Sequence, residues 1–253
     1  MVGNFRLMFD WLDGKFGWEA PRRMDKVFRV SRTKLMTHAE QRASADGQAT
    51  FTLPELKAHY SQCTNDRQRL YVLLGLNCGF TQKDIATLLL DDVVADGVMT
   101  VIDRYRSKTR GAGVKGRWVL WPETGQLLAS EMAKTPTNTK DNPQRLALLS
   151  EDRRMLVDDS TDTDSIAQSW VRLGRRVRAT EVNKDVRALP FKVLRKTGSD
   201  VVLRLSSEAV QQLYLAHKSR SVAARHYTGA ADFAPLTRPL AKMRAQLKSA
   251  GVF

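Results

Sequence analysis

The sequence predicts a mixed α/β fold that is mainly α-helical and contains one small antiparallel β-sheet. Most apolar residues recur every three or four positions, which is the spacing of amphipathic helices. Residues 98–121 instead contain two short β-type runs, VMTVIDRY and RWVLW, separated by the Gly-rich stretch RSKTRGAGVKG, as in a hairpin. With 253 residues, 42% of them hydrophobic, the chain can bury a large core.

The chain is expected to divide near residue 47. Apolar residues at helical spacing predict a helix over residues 4–16. Residues 22–47 are first basic and then polar, which is typical of a linker. Residues 48–253 carry the remaining periodic segments and are predicted to form one domain.

Capping residues mark the helix starts of this domain. In a capping box, a Thr and an acidic residue three positions later bind each other's main-chain N–H groups. Thr52 with Glu55 and Thr81 with Asp84 have this spacing. The predicted helices span residues 52–60 and 65–77, start at 81 and 122, span 165–179, start at 192, and span 208–215 and 240–247.

Three further local signals complete the pattern. Gly79 is expected to end the helix over residues 65–77, because glycine readily adopts the left-handed conformation found after a helix. Residues 146–149, LALL, predict another short strand. Residues 158–164 contain four Asp and predict an acidic loop.

The net charge favours a polyanionic partner. Lys and Arg outnumber Asp and Glu by 41 to 27, which gives a formal net charge of +14 and an isoelectric point near 10.1. A surplus of this size indicates nucleic acid before a membrane surface. No apolar run approaches the ~20 residues of a membrane span, and the N-terminus lacks a signal-peptide layout. A cytoplasmic location is therefore expected.

The sequence predicts neither a metal centre nor a disulfide. Cys63 and Cys78 have neither metal-ligand spacing nor the spacing of a disulfide framework. Both are expected to be buried thiols of a cytosolic protein. The four histidines form no ligand cluster along the sequence, so metal catalysis is not predicted.

The segment LAHKSRSVAARHY, residues 215–227, predicts phosphate chemistry. It places His217 ten residues before Tyr227, with several cationic side chains between them. Transfer of a phosphodiester to a side chain needs a positioned nucleophile, cations on the non-bridging oxygens and a proton donor for the leaving hydroxyl. Tyr227 is the candidate nucleophile.

Residues outside this segment could supply most of the other groups. Arg195 can donate two parallel hydrogen bonds to a phosphate, and Lys192 lies three residues earlier on the same helical face. His217 can donate a hydrogen bond or carry a proton. Lys108 in the predicted hairpin can reach a phosphate as a flexible point charge, and Lys115 on the same hairpin is the alternative.

This ordered set resembles the catalytic domain of the tyrosine recombinases, the phage integrase family. Four blocks carry the resemblance, from about Phe51 to the C-terminus and in the family's order. They are LNCGFTQKDIATLLLDDV (residues 76–93), RSKT with Lys108, FKVLRKTG (191–198), similar to the family's His-x-x-Arg box, and LAHKSRSVAARHY, similar to its Gly-His…Tyr segment.

The resemblance implies site-specific recombination or integration of double-stranded DNA. Tyr227 would attack a DNA phosphodiester and form a 3′-phosphotyrosyl intermediate. Arg195, Lys192 and His217 would stabilise the charged phosphorane, and Lys108 would protonate the leaving oxygen. The resemblance implies no metal and no nucleotide cofactor, because the phosphotyrosyl bond conserves the energy of the phosphodiester.

The resemblance also implies an assembly and an origin. Family members work as tetramers on paired DNA sites, so a homo-oligomer is expected, with the last predicted helix as a candidate for docking on a neighbouring subunit. Residues 1–47 would be the C-terminal remnant of a core-binding domain and a basic linker. The protein would be cytoplasmic, in a bacterium or encoded by a phage, without membrane association.

Basic residues of the hairpin and of the segment before Tyr227 are the expected DNA contacts, in addition to the catalytic set. They are Arg104, Arg106, Arg110, Lys115, Lys218, Arg220 and Arg225.

Three positions and one spacing depart from the family's pattern. Thr81 stands where the family carries its first catalytic arginine, and losing one preorganised donor typically costs roughly 10²–10³ in rate. Lys192 replaces the histidine of the His-x-x-Arg box and keeps a cation there. Ala216 replaces a glycine, which is expected to be a mild change. The spacing from His217 to Tyr227 is one residue longer than the commonest one.

Two explanations of Thr81 stay open at this point. Another cation could fill the position, and the candidates are Lys83, Arg104, Arg106 and Arg110. Alternatively, the chain is a DNA-binding protein on a recombinase scaffold, with weakened or no cleavage. An RNA-binding protein is a third interpretation. Thr81 itself is expected to act as a helix cap.

Overall fold

The computed structural model describes residues 11–12, 14–17, 49–97, 99–105, 115–138, 140–217 and 232–253. The chain falls into two compact units, Met1–Gln48 and Ala49–Phe253. In the first unit, residues 11–12 and 14–16 are helical, and the rings of Trp11 and Phe16 meet edge to face at 5.5 Å. The predicted linker over residues 22–47 lies outside the described residues.

The second unit is mainly helical with a small antiparallel sheet, which confirms the predicted fold class. Its described helices are α1 Leu53–Ser61, α2 Asp66–Asn77, α3 Gln82–Ala86, α4 Pro122–Met132, α5 Ser165–Arg178, α6 Val193–Leu205, α7 Glu208–Tyr214 and α8 Ala234–Ser249. Its described strands are β1 Val93–Asp96, β2 Met99–Tyr105, β3 Lys115–Val119, β4 Val157–Asp158 and β5 Thr163–Asp164. Short 3₁₀ turns cover Leu90–Asp92 and Glu181–Asn183.

Both predicted capping boxes are present. At the start of α1, the Thr52 hydroxyl accepts from the Glu55 N–H, and the Glu55 carboxylate accepts from the Thr52 N–H at 2.8 Å. At the start of α3, Thr81 and Asp84 form the same reciprocal pair, with 3.0 Å between the Thr81 nitrogen and Asp84 Oδ2. The local sequence therefore determines where both helices begin.

The sheet has three strands, ordered β1-β2-β3 and antiparallel throughout. In the second pair, Val101 lies opposite Val119 and Tyr105 lies opposite Lys115. The prediction began the sheet at residue 98 and missed β1. This strand is at the edge and runs from a half-buried Val93 into exposed residues, so it lacks the apolar alternation that marks a half-buried strand.

Residues 146–149 are buried but do not form the predicted strand. A single antiparallel bridge joins Leu146 to Leu89. The Asn142 side chain binds both main-chain groups of Leu146, because it donates to the carbonyl at 2.8 Å and accepts from the N–H at 2.9 Å. This side chain takes the place of a neighbouring strand, so the prediction was wrong here.

Two other boundaries differ from the prediction. The acidic stretch over residues 158–164 is framed by a two-stranded hairpin, in which Val157 pairs with Asp164. Helix α8 begins at Ala234, six residues before its predicted start, and includes Pro235 and Pro239. Pro235 lies in the first turn, where the missing N–H would have no helical partner, so it starts the helix.

Helix α2 forms the centre of the core. Leu70, Val72, Leu73, Leu74 and Leu76 are each 0–1% exposed. Because these positions cover more than one face, the helix is enclosed on several sides, and it packs against α4, α5 and α6. The C-terminal end of α2 is therefore held deep in the domain, close to the start of α3.

Helix α8 packs on its own domain. Its buried residues include Leu236, Leu240 and Met243, and the indole N–H of Trp121 donates to the Leu240 carbonyl at 3.0 Å. The same chain therefore covers the apolar side of α8. The docking of this helix on a neighbouring subunit stays a prediction.

Neither a membrane-spanning helix nor a metal-binding cluster occurs among the described residues. No helix among them is both long enough and apolar enough to cross a membrane. No group of three or more His, Cys, Asp or Glu side chains within the same residues is arranged to hold a metal ion. Cys63 and Cys78 are both free and buried, as predicted.

Replacing Glu123 by Gln is expected to lower the free energy of unfolding by about 1–2 kcal/mol at pH 6. Arg244 donates to both Glu123 oxygens at 2.9 and 2.8 Å, and Lys248 Nζ lies 2.8 Å from one of them. These bonds lower the pKa of Glu123 from 4.5 to about 2, and the hydrogen bonds from Arg244 have the largest effect. Because the folded pKa is the lower one, the stabilisation is present above pH 4.5 and is lost as the pH falls towards 2.

Urea unfolding of the native and Glu123→Gln proteins at pH 6 and pH 3 measures this difference, which should shrink in acid. Glu151→Gln is the matched control, since Glu151 is exposed and has no ion pair among the described residues. A Glu123→Gln loss of the same size at both pH values would contradict the ion-pair explanation.

Candidate active site

Arg195 on α6 is the centre of the candidate site. It is 9% exposed. Its Nη1 donates to the Gly79 carbonyl, and its Nη2 donates to the Leu215 carbonyl at 2.7 Å. The same Nη2 lies 3.4 Å from His217 Nε2. The guanidinium thus joins α6 to the α2–α3 turn and to the end of α7, an arrangement called the Arg195 clamp below.

The structure therefore brings two predicted site residues together, Arg195 and His217. Lys192 lies at the N-cap position of α6 and is exposed. Arg195 is one helical turn further along, so both residues belong to the same end of α6. Lys192 is free to extend into solvent at this end, whereas Arg195 is fixed in the interior.

The turn over residues 79–81 connects α2 to α3. Gly79 has φ +62°, in the left-handed region, and an added Cβ would lie 2.8 Å from the ring of Tyr214. Only glycine fits both conditions. Thr81 follows as the N-cap of α3, and its hydroxyl donates to Asp84 Oδ2 at 2.7 Å. The Thr81 side chain is thus engaged in the cap, as the sequence predicted.

Lys83, one candidate to replace the arginine that Thr81 substitutes, is bound to another residue. Its ammonium forms an ion pair with Asp159, in the acidic stretch between β4 and β5. Both side chains are largely exposed, at 55% and 76%. Lys83 is therefore directed towards the β4–β5 hairpin, which argues against it as the replacement for an arginine at Thr81.

Arg104 is buried in the structure and was predicted as a DNA contact. It is 6% exposed. Its Nη1 donates to the Asp84 carbonyl at 2.7 Å and its Nη2 to the Thr87 carbonyl at 3.0 Å, while its Nε lies 3.4 Å from Asp92 Oδ2. The guanidinium also lies 5.9 Å from the Phe80 ring. Arg104 ties β2 to α3, and this burial corrects its assignment as a DNA contact.

The hairpin strands carry their own ion pairs. Lys115 Nζ lies 2.9 Å from Asp103 Oδ1, and Arg117 bridges Asp103 and Asp96 at 3.1 and 2.6 Å. The charge of Lys115 is therefore balanced within the sheet. This pairing leaves the choice between Lys115 and Lys108 open, because Lys108 lies outside the described residues.

His217 follows α7 in a Schellman motif. The His217 N–H donates to the Gln212 carbonyl, and the Ala216 N–H donates to the Leu213 carbonyl, both at 3.0 Å. Ala216 has φ +45°, a conformation that costs a non-glycine residue roughly 1–2 kcal/mol. The replacement of glycine by Ala216 is therefore a strained one, and the expectation of a mild change was wrong.

The remaining predicted site residues lie outside the described residues. They are Tyr227, Lys108, Arg106, Arg110, Lys218, Arg220 and Arg225. Their assignment as nucleophile, proton donor and DNA contacts stays a prediction.

Two groups that hold Arg195 were not predicted from the sequence. Gly79 and Leu215 act through their carbonyls, and a main-chain acceptor leaves no residue signature. Gly79 was predicted to end α2, but nothing in the pattern indicated that the turn faces α6. Tyr214 is 0% exposed at this junction, and burial raises its pKa.

The fold is similar to that of a known recombinase. The structure is similar to a crystal structure of XerA recombinase, with a TM-score of 0.51 and 17% identity, over 96% of this chain and 90% of that one. It is also similar to the lambda integrase catalytic core, with a TM-score of 0.48 and 17% identity, over 68% of this chain and 96% of that one. No protein-family model and no curated protein matches the sequence. The chain thus has the fold of a tyrosine recombinase catalytic domain.

Ala216→Gly is expected to stabilise the protein by about 0.5–1 kcal/mol. Release of the left-handed strain at Ala216 exceeds the loss of one buried methyl group. Thermal unfolding should show a melting temperature about 2–4 °C higher. Ala179→Gly is the matched control, because Ala179 also follows a helix but has φ −74°, and it should lower the melting temperature. A lower value for Ala216→Gly would contradict the strain argument.

Proposed function

We propose that this protein is a site-specific DNA recombinase that cuts and rejoins duplex DNA through a covalent phosphotyrosine. The contact between Arg195 and His217, 3.4 Å apart, carries the proposal. These residues come from separate sequence blocks, and they meet at one position of a tyrosine recombinase catalytic-domain fold. A buried guanidinium with a fixed orientation is suited to bind a phosphate whose charge grows during the reaction.

In the proposed reaction, the Tyr227 hydroxyl loses its proton to water as its oxygen attacks a DNA phosphorus atom. A bond forms between this oxygen and the 3′-phosphate, and the bond to the 5′ oxygen breaks. Arg195, His217 and Lys192 stabilise the negative charge on the non-bridging oxygens, and Lys108 gives a proton to the leaving 5′ oxygen. Rejoining reverses these steps with a second 5′-hydroxyl. Because the phosphotyrosyl bond conserves the energy, no cofactor is required.

Duplex DNA is the proposed partner. The net charge of +14 favours a polyanion, and the sequence resemblance favours recombination between paired sites. A homo-tetramer on two DNA duplexes is part of the same proposal. The affinity of the protein for duplex DNA should fall steeply with salt, since each phosphate contact releases counterions.

A second candidate is a DNA-binding protein that cleaves weakly or not at all. The contacts of Thr81 and Lys83 favour this second candidate. The Thr81 hydroxyl is used in a capping box, and Lys83 forms an ion pair with Asp159. Arg104 is likewise bound to the carbonyls of Asp84 and Thr87. Both candidate cations among the described residues, Lys83 and Arg104, are therefore bound by other protein groups.

A covalent-adduct assay separates the two candidates. Duplex DNA with a nick close to the cleaved bond loses a short 5′-hydroxyl fragment after cleavage, which traps the protein–DNA adduct for denaturing gel electrophoresis. The native protein should form this adduct, and Tyr227→Phe should abolish it because the nucleophilic oxygen is absent. Tyr105→Phe is the matched control, since Tyr105 is an exposed tyrosine on β2 and should leave the adduct unchanged.

An adduct that persists in Tyr227→Phe would assign the nucleophile to another residue. DNA binding by the native protein without any adduct, across a library of duplexes, would favour the second candidate.

Thr81→Arg tests whether the first arginine position is vacant. The new guanidinium should raise the rate of adduct formation by about 10-fold or more, while loss of the cap should lower stability by about 1 kcal/mol. Thr81→Ala is the matched control, because it removes the cap without adding a cation. Thr81→Ala should lower the melting temperature as much as Thr81→Arg does, but it should not raise the rate of adduct formation.

A single-turnover time course, with melting temperatures of all three proteins, measures both effects. An unchanged or lower rate for Thr81→Arg would mean that another residue already occupies this phosphate position.

A further inference from the structure

Tyr214 occupies a notch between three elements of the second unit. The residue ends α7 and is 0% exposed. Its hydroxyl donates to the Leu76 carbonyl at 2.7 Å. Leu76 belongs to the last turn of α2, where carbonyls lose their helical N–H partners. The phenol therefore provides a donor for the C-terminal end of the central helix.

The notch exists because two glycines line it. A Cβ added to Gly198 on α6 would lie 2.0 Å from the Tyr214 hydroxyl oxygen, and one added to Gly79 would lie 2.8 Å from the ring. Gly198 is three residues after Arg195, so both lie on the same face of α6. The ring of Tyr214 thus fills the space between α6 and the turn that supplies one carbonyl of the Arg195 clamp.

The main chain at Tyr214 is fixed as well. Its carbonyl accepts from the indole N–H of Trp118 at 2.9 Å, and the next residue, Leu215, supplies the other carbonyl of the clamp. The separation of the two carbonyls therefore depends on how Tyr214 lies against Gly79 and Gly198. His217 follows three residues after Tyr214 and lies against the same guanidinium.

We infer that Tyr214 is a positioning residue for Arg195 and His217, and that Gly198 is its required counterpart on α6. The inference rests on the proposed function, because it assigns the two clamped side chains to phosphate. Tyr214 itself has no role in contact with DNA. It sets the distance between the Gly79 and Leu215 carbonyls, and through them the orientation of the guanidinium.

Tyr214→Phe is the first test, because it removes only the hydroxyl. Adduct formation at saturating DNA should slow by about 10- to 100-fold, as for a small misplacement of a catalytic group. The dissociation constant for the same duplex, measured by fluorescence anisotropy, should change by less than about 3-fold, because a fully buried side chain offers no surface to DNA. Tyr71→Phe is the matched control, since Tyr71 is also a buried tyrosine but lies on α2. This variant should form the adduct at the native rate.

Gly198→Ala and the double variant test the pair. The added methyl group collides with the hydroxyl, so Gly198→Ala should also slow the reaction. Removal of the hydroxyl relieves the 2.0 Å contact but leaves the Leu76 carbonyl and the Cζ atom of the ring 2.9 Å from the added methyl group. The double variant should therefore recover only part of the rate, but it should lose less than the product of the two single losses. Independent, multiplicative losses would overturn the assignment of Gly198 as the counterpart.

A spectroscopic measurement keeps the inference separate from the proposed function. In ¹H–¹⁵N spectra, Tyr214→Phe should shift the Trp118 indole and Arg195 side-chain resonances, which Trp118→Phe and Arg195→Lys assign. If the native protein forms no adduct, the proposed function fails, and unshifted resonances would overturn the positioning role as well. With a native adduct, an unchanged rate in Tyr214→Phe, or a rate and an affinity that fall together, would overturn the inference alone.

Discussion

The candidate site depends on the pairing of one buried guanidinium with two main-chain carbonyls. Arg195 is almost fully enclosed, and a charge in that position must be bound by protein groups in place of water. The carbonyls of Gly79 and Leu215 come from the ends of α2 and α7, so the requirement of a single side chain fixes the relative position of three helices. His217 lies beside the guanidinium because it immediately follows this junction. The same bonds thus stabilise the fold and arrange the site.

The position of Thr81 shows two local requirements that compete for one residue. The start of α3 needs a side-chain acceptor, and Thr81 provides it together with Asp84. An arginine here would offer a phosphate donor but would leave the N–H groups of α3 with a poorer cap. Arg104 donates to the carbonyls of Asp84 and of Thr87, the C-cap of α3, so the C-terminal end of this helix is held as well. The Thr81 side chain therefore serves the structure of this turn.

Sequence patterns predicted the features that depend on neighbouring residues. Both capping boxes and the helices of the core follow from apolar spacing and local side-chain bonds, and they were predicted close to their true bounds. Features set by distant contacts were missed. The stretch at residues 146–149 is not a strand because Asn142 binds it, and the Arg195 clamp uses carbonyls that any residue possesses. The strain at Ala216 was missed because a left-handed φ is visible only in the folded backbone.

The reactivity of the buried Cys78 thiol depends on whether the structure beside Arg195 is closed or open. The thiol is 0% exposed at the end of α2, immediately before the glycine whose carbonyl binds Arg195. Burial raises its pKa well above the ordinary value, so it is both inaccessible and unreactive while the helix end is closed. Cys63 is buried at a different position, after α1, with a pKa raised to about 11. The rate at which Cys78 reacts with a thiol reagent therefore reports local opening beside the Arg195 guanidinium. The rate for Cys63 reports opening of the core next to α1.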